Sequence, residues 1–314
     1  MAVASALLCA ALATAGCGLG PGADVGDVRL TVTREYGAVP VLETAVEAKE
    51  SDTVMRVLEG AAEISTRYGG GFVHSIEGVA EGQRGGDPYD WFFYVDGVES
   101  QVGAAESEVA GGERVWWDYR NWAATNHVPA VVGSWPAPFS DGIEGERYPV
   151  VVECDGGGGA CGEVRAALAR EGVKVANGEP EKALRILVGP WEQVRDDPAA
   201  RAIEAGPAES GVFADLLSTS PRASTYPGHS RGLAEADELV ALDEAGEPAE
   251  SLGSDAGLIA ATSRYGGLPV WIVTGGTAAA VGEAARSLDA EHLRDHYAVA
   301  IDHGKTVPLP LEAP

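Results

Sequence analysis

The stretch from Phe72 to Trp122 constrains the fold more than any other part of the chain. It contains three runs of β-branched and aromatic residues, 72–78, 91–97 and 112–119, each bounded by Gly or Asp-Gly. Such runs predict strands that end in turns. Four of the seven tryptophans lie in this stretch. Successive side chains on a strand point to opposite faces, so both faces of the predicted sheet are aromatic.

A second aromatic face needs an explanation, because a small sheet requires only one apolar face to pack against a helix. Either another domain covers the second face, or it is a surface that binds a planar or bulky apolar ligand. Both alternatives are open from the sequence. The candidate ligand-binding residues are Phe72, His74, Trp91, Tyr94, Trp116, Trp117 and Tyr119.

Two strands and a helix are predicted before the aromatic runs. Residues 28–34 alternate in polarity, and residues 39–48 return as a second strand. Ser51 and Asp52 are expected to cap a helix that the glycines at 69–71 end. Its apolar residues recur at helical spacing: Val54, Val57, Leu58, Ala61 and Ile64. One helix across a mixed sheet predicts an α+β, grasp-like domain over residues 28–122.

Four segments of this domain, 53–58, 71–78, 91–97 and 112–119, resemble the transcobalamin-like C-terminal domain, a bacterial family of unknown function. The resemblance covers residues 28–120. It implies a grasp-like fold and, by similarity to the smaller domain of vitamin B12 carriers, contact with a corrinoid, so cobalamin is a candidate ligand. Those carriers hold the vitamin between this domain and a large helical barrel, and the sequence has no helical-barrel pattern.

The second half of the chain has a different pattern. The length of 314 residues suits two domains. After an ordered linker at 123–147, strands and helices alternate over 148–305 and predict an α/β domain, with 207–250 mostly irregular and 306–314 a tail. The runs 186–190 and 271–276 each lead from a strand into a helix, as if one βα unit were used twice.

The N-terminal residues predict export. Residues 1–16 carry no charge, and Thr14-Ala15-Gly16-Cys17 resembles a bacterial lipobox, in which the cysteine becomes the lipidated first residue. The expected product is a lipoprotein on the outer face of the membrane, with residues 18–27 as a glycine-rich tether. A cleaved secretory signal and a secreted protein are the alternative.

Two cysteines remain after the leader, Cys154 and Cys161. In an oxidising compartment this spacing predicts a small disulfide loop. Metal binding is the alternative, although no second cysteine pair or nearby histidine completes a tetrahedral site.

The net charge restricts the partners. A formal charge of −26 comes from 48 acidic and 22 basic residues spread along the chain. Such a surface repels nucleic acid and anionic lipid headgroups, so no nucleic-acid partner is expected.

Three patterns could carry chemistry, and each has a simpler interpretation. Gly228-His229-Ser230-Arg231-Gly232 fits the nucleophile pattern of α/β-hydrolases, but a polar, turn-rich segment precedes it instead of a buried strand. His292 and His296 share a predicted helix face that could bind a metal, although solvated histidines are the simpler interpretation. The glycines at 156–159 and 275–276 lack a complete phosphate-loop motif.

These features favour a ligand-binding protein over an enzyme. The expectation is an extracytoplasmic, lipid-anchored protein that binds a small molecule, a corrinoid or another bulky apolar ligand, and contacts a transporter or the cell wall. A cell-wall polymer attachment protein is the main alternative, and a secreted serine hydrolase is a weaker one. No catalytic residue, metal or cofactor is expected.

Overall fold

The computed structural model describes residues 22–156, 158–178, 180–217, 237–264 and 267–312. This part of the chain is a mixed α/β structure, mostly sheet with few helices, in two domain-like halves. None of its helices is both long enough and apolar enough to span a membrane. The predicted lipobox and its Cys17, and the Gly228–Gly232 motif, lie outside the described residues.

The N-terminal half contains a six-stranded sheet, a three-stranded sheet and one helix. In chain order its elements are β1 Asp24–Arg34, β2 Val39–Lys49, α1 Val54–Ala61, β3 Ile64–Arg67, β4 Phe72–Ile76, β5 Val79–Ala80, β6 Gly82–Arg84, β7 Asp87–Val95, β8 Val98–Glu99 and β9 Arg114–Asn121. The larger sheet has the order β2-β1-β9-β7-β6, with β8 paired to β7. Only the β1–β9 pair in it is parallel.

The helix α1 is shorter than the sequence pattern predicts. Its N-cap is Thr53, whose Oγ1 accepts a hydrogen bond from the backbone N–H of Arg56, whereas Asp52 accepts one from Lys49. The helix ends at Ala61, and Ile64 begins strand β3. Ile64 and Thr66 are β-branched and pair with β4, and this pairing overrides the helical spacing of Ile64.

The C-terminal half is built on a second six-stranded sheet. Its elements are β10 Val150–Cys154, α2 Ala160–Arg170, β11 Leu184–Val188, α3 Trp191–Val194, α4 Pro198–Glu204, α5 Pro207–Ser210, β12 Ala214–Leu217, β13 Glu238–Leu242, β14 Pro248–Gly253, β15 Gly257–Thr262, β16 Val270–Gly275, α6 Ala278–Arg286, α7 Ala290–Leu293, β17 Ala298–Asp302 and β18 Lys305–Leu309. The sheet has the order β10-β11-β16-β15-β17-β18, in which the first three strands are parallel. The two βα units of the sequence lie side by side, because β11 and β16 are neighbours.

Two segments that were expected to be irregular are ordered strands. The predicted tail contains β18, which pairs antiparallel with β17 at the sheet edge. The region 207–250 contains the three-stranded antiparallel sheet β12-β13-β14. Short strands that alternate only weakly in polarity give little periodic signal.

Residues 123–147 are packed into the protein. Val128 and Val131 belong to the core between the halves, whereas Trp135 and Phe139 pack on the other face of the second sheet. The rings of Trp135 and Phe139 lie 5.7 and 5.1 Å from Trp271 of β16. Helices α2 and α6 cover the same face. The opposite face meets α4, the β12–β14 sheet and the N-terminal half.

A disulfide bond joins Cys154 and Cys161, which confirms the predicted pairing. It connects the end of β10 to the first turn of α2.

Candidate functional site

The aromatic residues predicted to bind a ligand are mostly core residues. The buried members of the set are Trp91, Tyr94, Trp116, Trp117 and Tyr119. They divide between two cores, as strand alternation predicts: Tyr94 and Trp116 lie on the face toward the C-terminal half, and the other three on the face toward α1 and the small sheet. A bulky ligand cannot lie across buried rings. The alternative in which these five residues form an exposed binding surface therefore does not agree with the structure.

The small sheet β3-β4-β5 covers part of the first face. Trp91 Nε1 donates to the carbonyl of Val79 over 2.9 Å, and the hydroxyl of Tyr119 donates to the carbonyl of Ala80 over 2.9 Å. Phe72 remains partly exposed beside Tyr68, with ring centroids 6.2 Å apart. His74 lies beside Glu81.

Tyr297 of the C-terminal half covers the second face. Its ring centroid lies 4.9 Å from Tyr36, 5.6 Å from Tyr94 and 5.3 Å from Trp116, each in an edge-to-face arrangement. Such geometry is favourable for aromatic pairs. Of the two alternatives for the second aromatic face, burial by another domain is therefore what the structure shows.

A buried carboxylate joins the two halves beside these rings. Asp118 of β9 accepts hydrogen bonds from Thr33 Oγ1 at 2.6 Å, from the backbone N–H groups of Tyr36 and Gly37 at 3.0 and 3.1 Å, and from the Tyr297 hydroxyl at 3.1 Å. Four donors offset part of the lost hydration of this carboxylate, and burial still raises its pKa. Gly37 is required at this contact, since a Cβ there would lie 1.7 Å from the carbonyl oxygen of Asp295.

A cavity of about 1060 Å³ lies between the halves, away from the aromatic rings. The N-terminal half contributes Val98, Glu99 and Gln101, and the packed segment 123–147 contributes His127, Pro129, Ile143 and Glu144. The opposite wall is the exposed part of the second sheet and its loops. The charged residues of that wall are Glu153, Asp155, Glu181, Lys182, Arg185, Asp197 and Arg264. We call this cavity the interdomain cleft.

Glu99 and His127 contact each other through a carboxylate oxygen and Nδ1 on one wall of the interdomain cleft. Burial raises the pKa of the Glu99 carboxyl to about 7, against the opposing effect of the buried Arg120 guanidinium. Burial and the charge of Arg120 lower the pKa of His127. Near pH 7 the carboxyl therefore titrates, which makes this wall sensitive to a ligand charge.

Arg185 organises the opposite wall. Its Nε and Nη2 donate to the two carboxylate oxygens of Glu153, each over 2.7 Å, and Nη2 also donates to Asp197 Oδ2 over 2.6 Å. The hydrogen bond to Glu153, followed by that to Asp197, raises the pKa of Arg185. Asp197 is also the N-cap of α4, so the triad is fixed to a helix and two strands.

The residues of this cleft were not predicted from the sequence. One signal was present: Arg185 interrupts the apolar strand 184–188, where a charge indicates a partner on the same face. Glu99 and His127 gave no such signal, because their contact depends on the packing of the segment 123–147.

The other predicted sites do not assemble in the described residues. No group of three or more His, Cys, Asp or Glu side chains there could hold a metal. His292 belongs to α7 and contacts Asp289, whereas His296 lies beyond the end of that helix. Asp295, beside His296, pairs with Arg114 at 2.7 Å.

One family model matches a segment of the N-terminal half. Residues 51–121 match the family described as "Domain of unknown function (DUF4430)". No curated protein matches the chain. One similar solved structure, from Ruminococcus gnavus ATCC 29149, carries the description "putative metal binding protein". It is 14% identical, covers 31% of this chain and 97% of its own, and has a TM-score of 0.24.

Proposed function

We propose that the protein is an exported, lipid-anchored, non-enzymatic protein that binds a small molecule in the interdomain cleft. The single observation that carries this is the cleft itself, whose volume of about 1060 Å³ suits a small-molecule site. Two halves of different architecture form its walls, and pockets of this kind occur preferentially between domains.

The resemblance to vitamin B12 carriers supports the same location. In those carriers the ligand lies between two domains, and here the cleft lies between a proposed grasp-like, transcobalamin-like half and the α/β half. The grasp-like assignment is supported by α1, whose buried residues pack across β1 and β2. Cobalamin remains a candidate ligand, now in the cleft instead of on the aromatic sheet, and a membrane transporter is the proposed partner.

The cleft can be tested by filling it. Ala183 lines the cleft just before β11, so Ala183→Trp should occupy the space that a ligand needs. Ala169 is exposed on α2, which packs on the opposite face of the sheet, so Ala169→Trp is the matched control. Both variants and the wild-type protein are incubated with the low-molecular-weight fraction of a bacterial culture, with cobalamin and with cobinamide.

Retained molecules are then identified by native mass spectrometry. We expect a one-to-one ligand on the wild type and on Ala169→Trp, reduced at least tenfold on Ala183→Trp. Equal far-ultraviolet circular dichroism and cooperative thermal unfolding would show that all three proteins fold. Equal retention by Ala183→Trp, or retention by none of the three, would contradict the proposal.

A further inference from the structure

The distribution of charge along the interdomain cleft restricts the chemistry of its ligand. We infer that the cleft binds an extended zwitterionic molecule with the chemistry of a short peptide whose two ends are free. The inference rests on the proposed ligand-binding function and specifies the substrate class of the same site.

Two cations lie at the end of the cleft where the parallel strands begin. Lys182 precedes β11 by two residues, and Arg264 follows β15 by two residues. Both positions are level with each other, because Arg185 and Thr262 each pair with Val270 of β16. Neither cation forms an ion pair within the described ranges of the chain. Glu181 and Glu144 also line this end of the cleft, so its two positive and two negative charges balance.

Carboxylates dominate the end where the parallel strands finish. Glu153 is the penultimate residue of β10, and Asp155 follows its last residue. Asp197 accepts a hydrogen bond from Arg185, which also binds Glu153. Arg185 is level with Val151, so its group with Glu153 and Asp197 lies in the middle of the cleft and has a net charge of one negative unit. Asp155 adds a second negative charge at the end of β10. Asp155 forms no ion pair in the part of the chain that the structure describes.

The two charged ends are far enough apart for an extended chain. Val150 pairs with Leu184, so Lys182 is level with the position two residues before β10, and Asp155 lies seven positions further along. At about 3.3 Å per residue the ends are roughly 20 Å apart, the length of about six extended residues. The carboxylate of such a peptide would lie at Lys182 and Arg264, and its amino group at Asp155 and Glu153.

The side wall supplies groups for the middle of a peptide. Gln101 has an amide that can donate to and accept from a peptide bond, and His127 and Glu99 lie on the same wall. An apolar ligand would leave the amide of Gln101 without a hydrogen-bond partner, which is costly once water is excluded. The cleft therefore discriminates against a purely apolar ligand.

The test uses a pool of synthetic hexapeptides with free ends, a matched N-acetylated pool and a matched C-amidated pool. Each pool is equilibrated with the full-length protein, and the peptides retained after filtration are quantified by mass spectrometry. We expect free-ended peptides to be retained at least tenfold better than either blocked pool. The double variant Lys182→Ala/Arg264→Ala should abolish the preference for a free carboxylate but keep the preference for a free amine.

The matched control is the double variant Arg170→Ala/Lys174→Ala, which removes two exposed cations outside the cleft lining. It should retain peptides as the wild type does. Equal retention of free and blocked peptides, or retention of none, overturns the peptide inference. If a ligand from the culture fraction binds the wild type and not Ala183→Trp, the proposed ligand-binding function stands even though the peptide inference fails. If no source yields a ligand sensitive to Ala183→Trp, both are overturned.

Discussion

At the scale of single residues, Asp96 is a buried carboxylate in the turn between β7 and β8. Its backbone is left-handed with φ 49°, and its Oδ1 accepts a hydrogen bond of 2.8 Å from the backbone N–H of Arg114. Burial raises the pKa of this carboxyl to about 7, although that hydrogen bond opposes the shift. The folded protein therefore binds the proton more tightly than the unfolded chain, and stability falls as the pH rises from about 4 to about 7.

We expect Asp96→Asn to remove this loss of stability. Asparagine tolerates the left-handed backbone and keeps an acceptor for the Arg114 N–H. Relative to the wild type, the free energy of unfolding of the variant should increase between pH 4 and pH 8 by about 2–4 kcal/mol, since one pKa unit corresponds to about 1.4 kcal/mol. Urea unfolding at several pH values measures this. Asp255→Asn, at an exposed turn, should change nothing with pH, and identical pH profiles for Asp96→Asn and wild type would contradict the prediction.

The faces of the aromatic residues could be predicted from the sequence, but their partners could not. Alternation along β9 separates Trp116 from Trp117, and the structure places them in different cores as expected. The cover over Trp116 comes from Tyr297, and 179 residues separate Tyr297 from the neighbouring Asp118. Local periodicity carries no information about such a contact, so the sequence alone could not decide whether the face with Trp116 is exposed or buried.

At the scale of elements, strand β9 links the core of the N-terminal half to the interface between the halves. Trp117→Ala removes a ring from the first core, and Trp116→Ala removes one from the interface. Each should cost about 3–5 kcal/mol, the usual range for deleting a buried aromatic side chain. We expect calorimetry to show one transition at lower temperature for Trp117→Ala, and two separated transitions for Trp116→Ala because the halves uncouple. Identical single transitions for both variants would contradict this.

The disulfide is a second element-scale feature with a measurable effect. It closes a short loop between β10 and α2, and the chain-entropy model gives a stabilisation of about 2 kcal/mol. Cys154→Ser/Cys161→Ser should therefore unfold at lower denaturant concentration than the wild type. A reducing agent should lower the stability of the wild type and leave the double variant unchanged. An equal response of both proteins would show that the bond does not contribute.

The elements that the sequence predicted best are those with long periodic patterns. Strands β11 and β16 overlap the apolar runs 186–190 and 271–276 that the sequence predicted to lead from a strand into a helix, because apolar residues and flanking glycines coincide there. The sequence placed β3 inside the helix, since Ile64 continues the helical spacing of α1. Ile64 is in a strand because β3 pairs with β4, and this pairing is a tertiary contact that local spacing does not reveal.

At the scale of the whole molecule, the expected lipid anchor would hold the interdomain cleft at the outer face of the membrane. The resemblance of residues 14–17 to a lipobox predicts that the mature protein begins at acylated Cys17. Intact-mass analysis of the membrane fraction should show diacylglycerol on this cysteine, and Cys17→Ala should release the protein from the membrane. A mature protein that keeps the unmodified apolar leader would contradict this processing.

The contacts of Tyr297 also affect how the chain reaches its native state. The strands of the first sheet are complete at Asn121, yet Tyr297, the edge-to-face partner of Tyr94 and Trp116, is synthesised much later. With 179 residues between Asp118 and Tyr297, and synthesis at about 5–20 residues per second, the delay is on the order of 10 s. During this time an aromatic face is open to aggregation. The length of time for which this face can aggregate depends on the rate of chain synthesis and not on how fast the sheet itself folds.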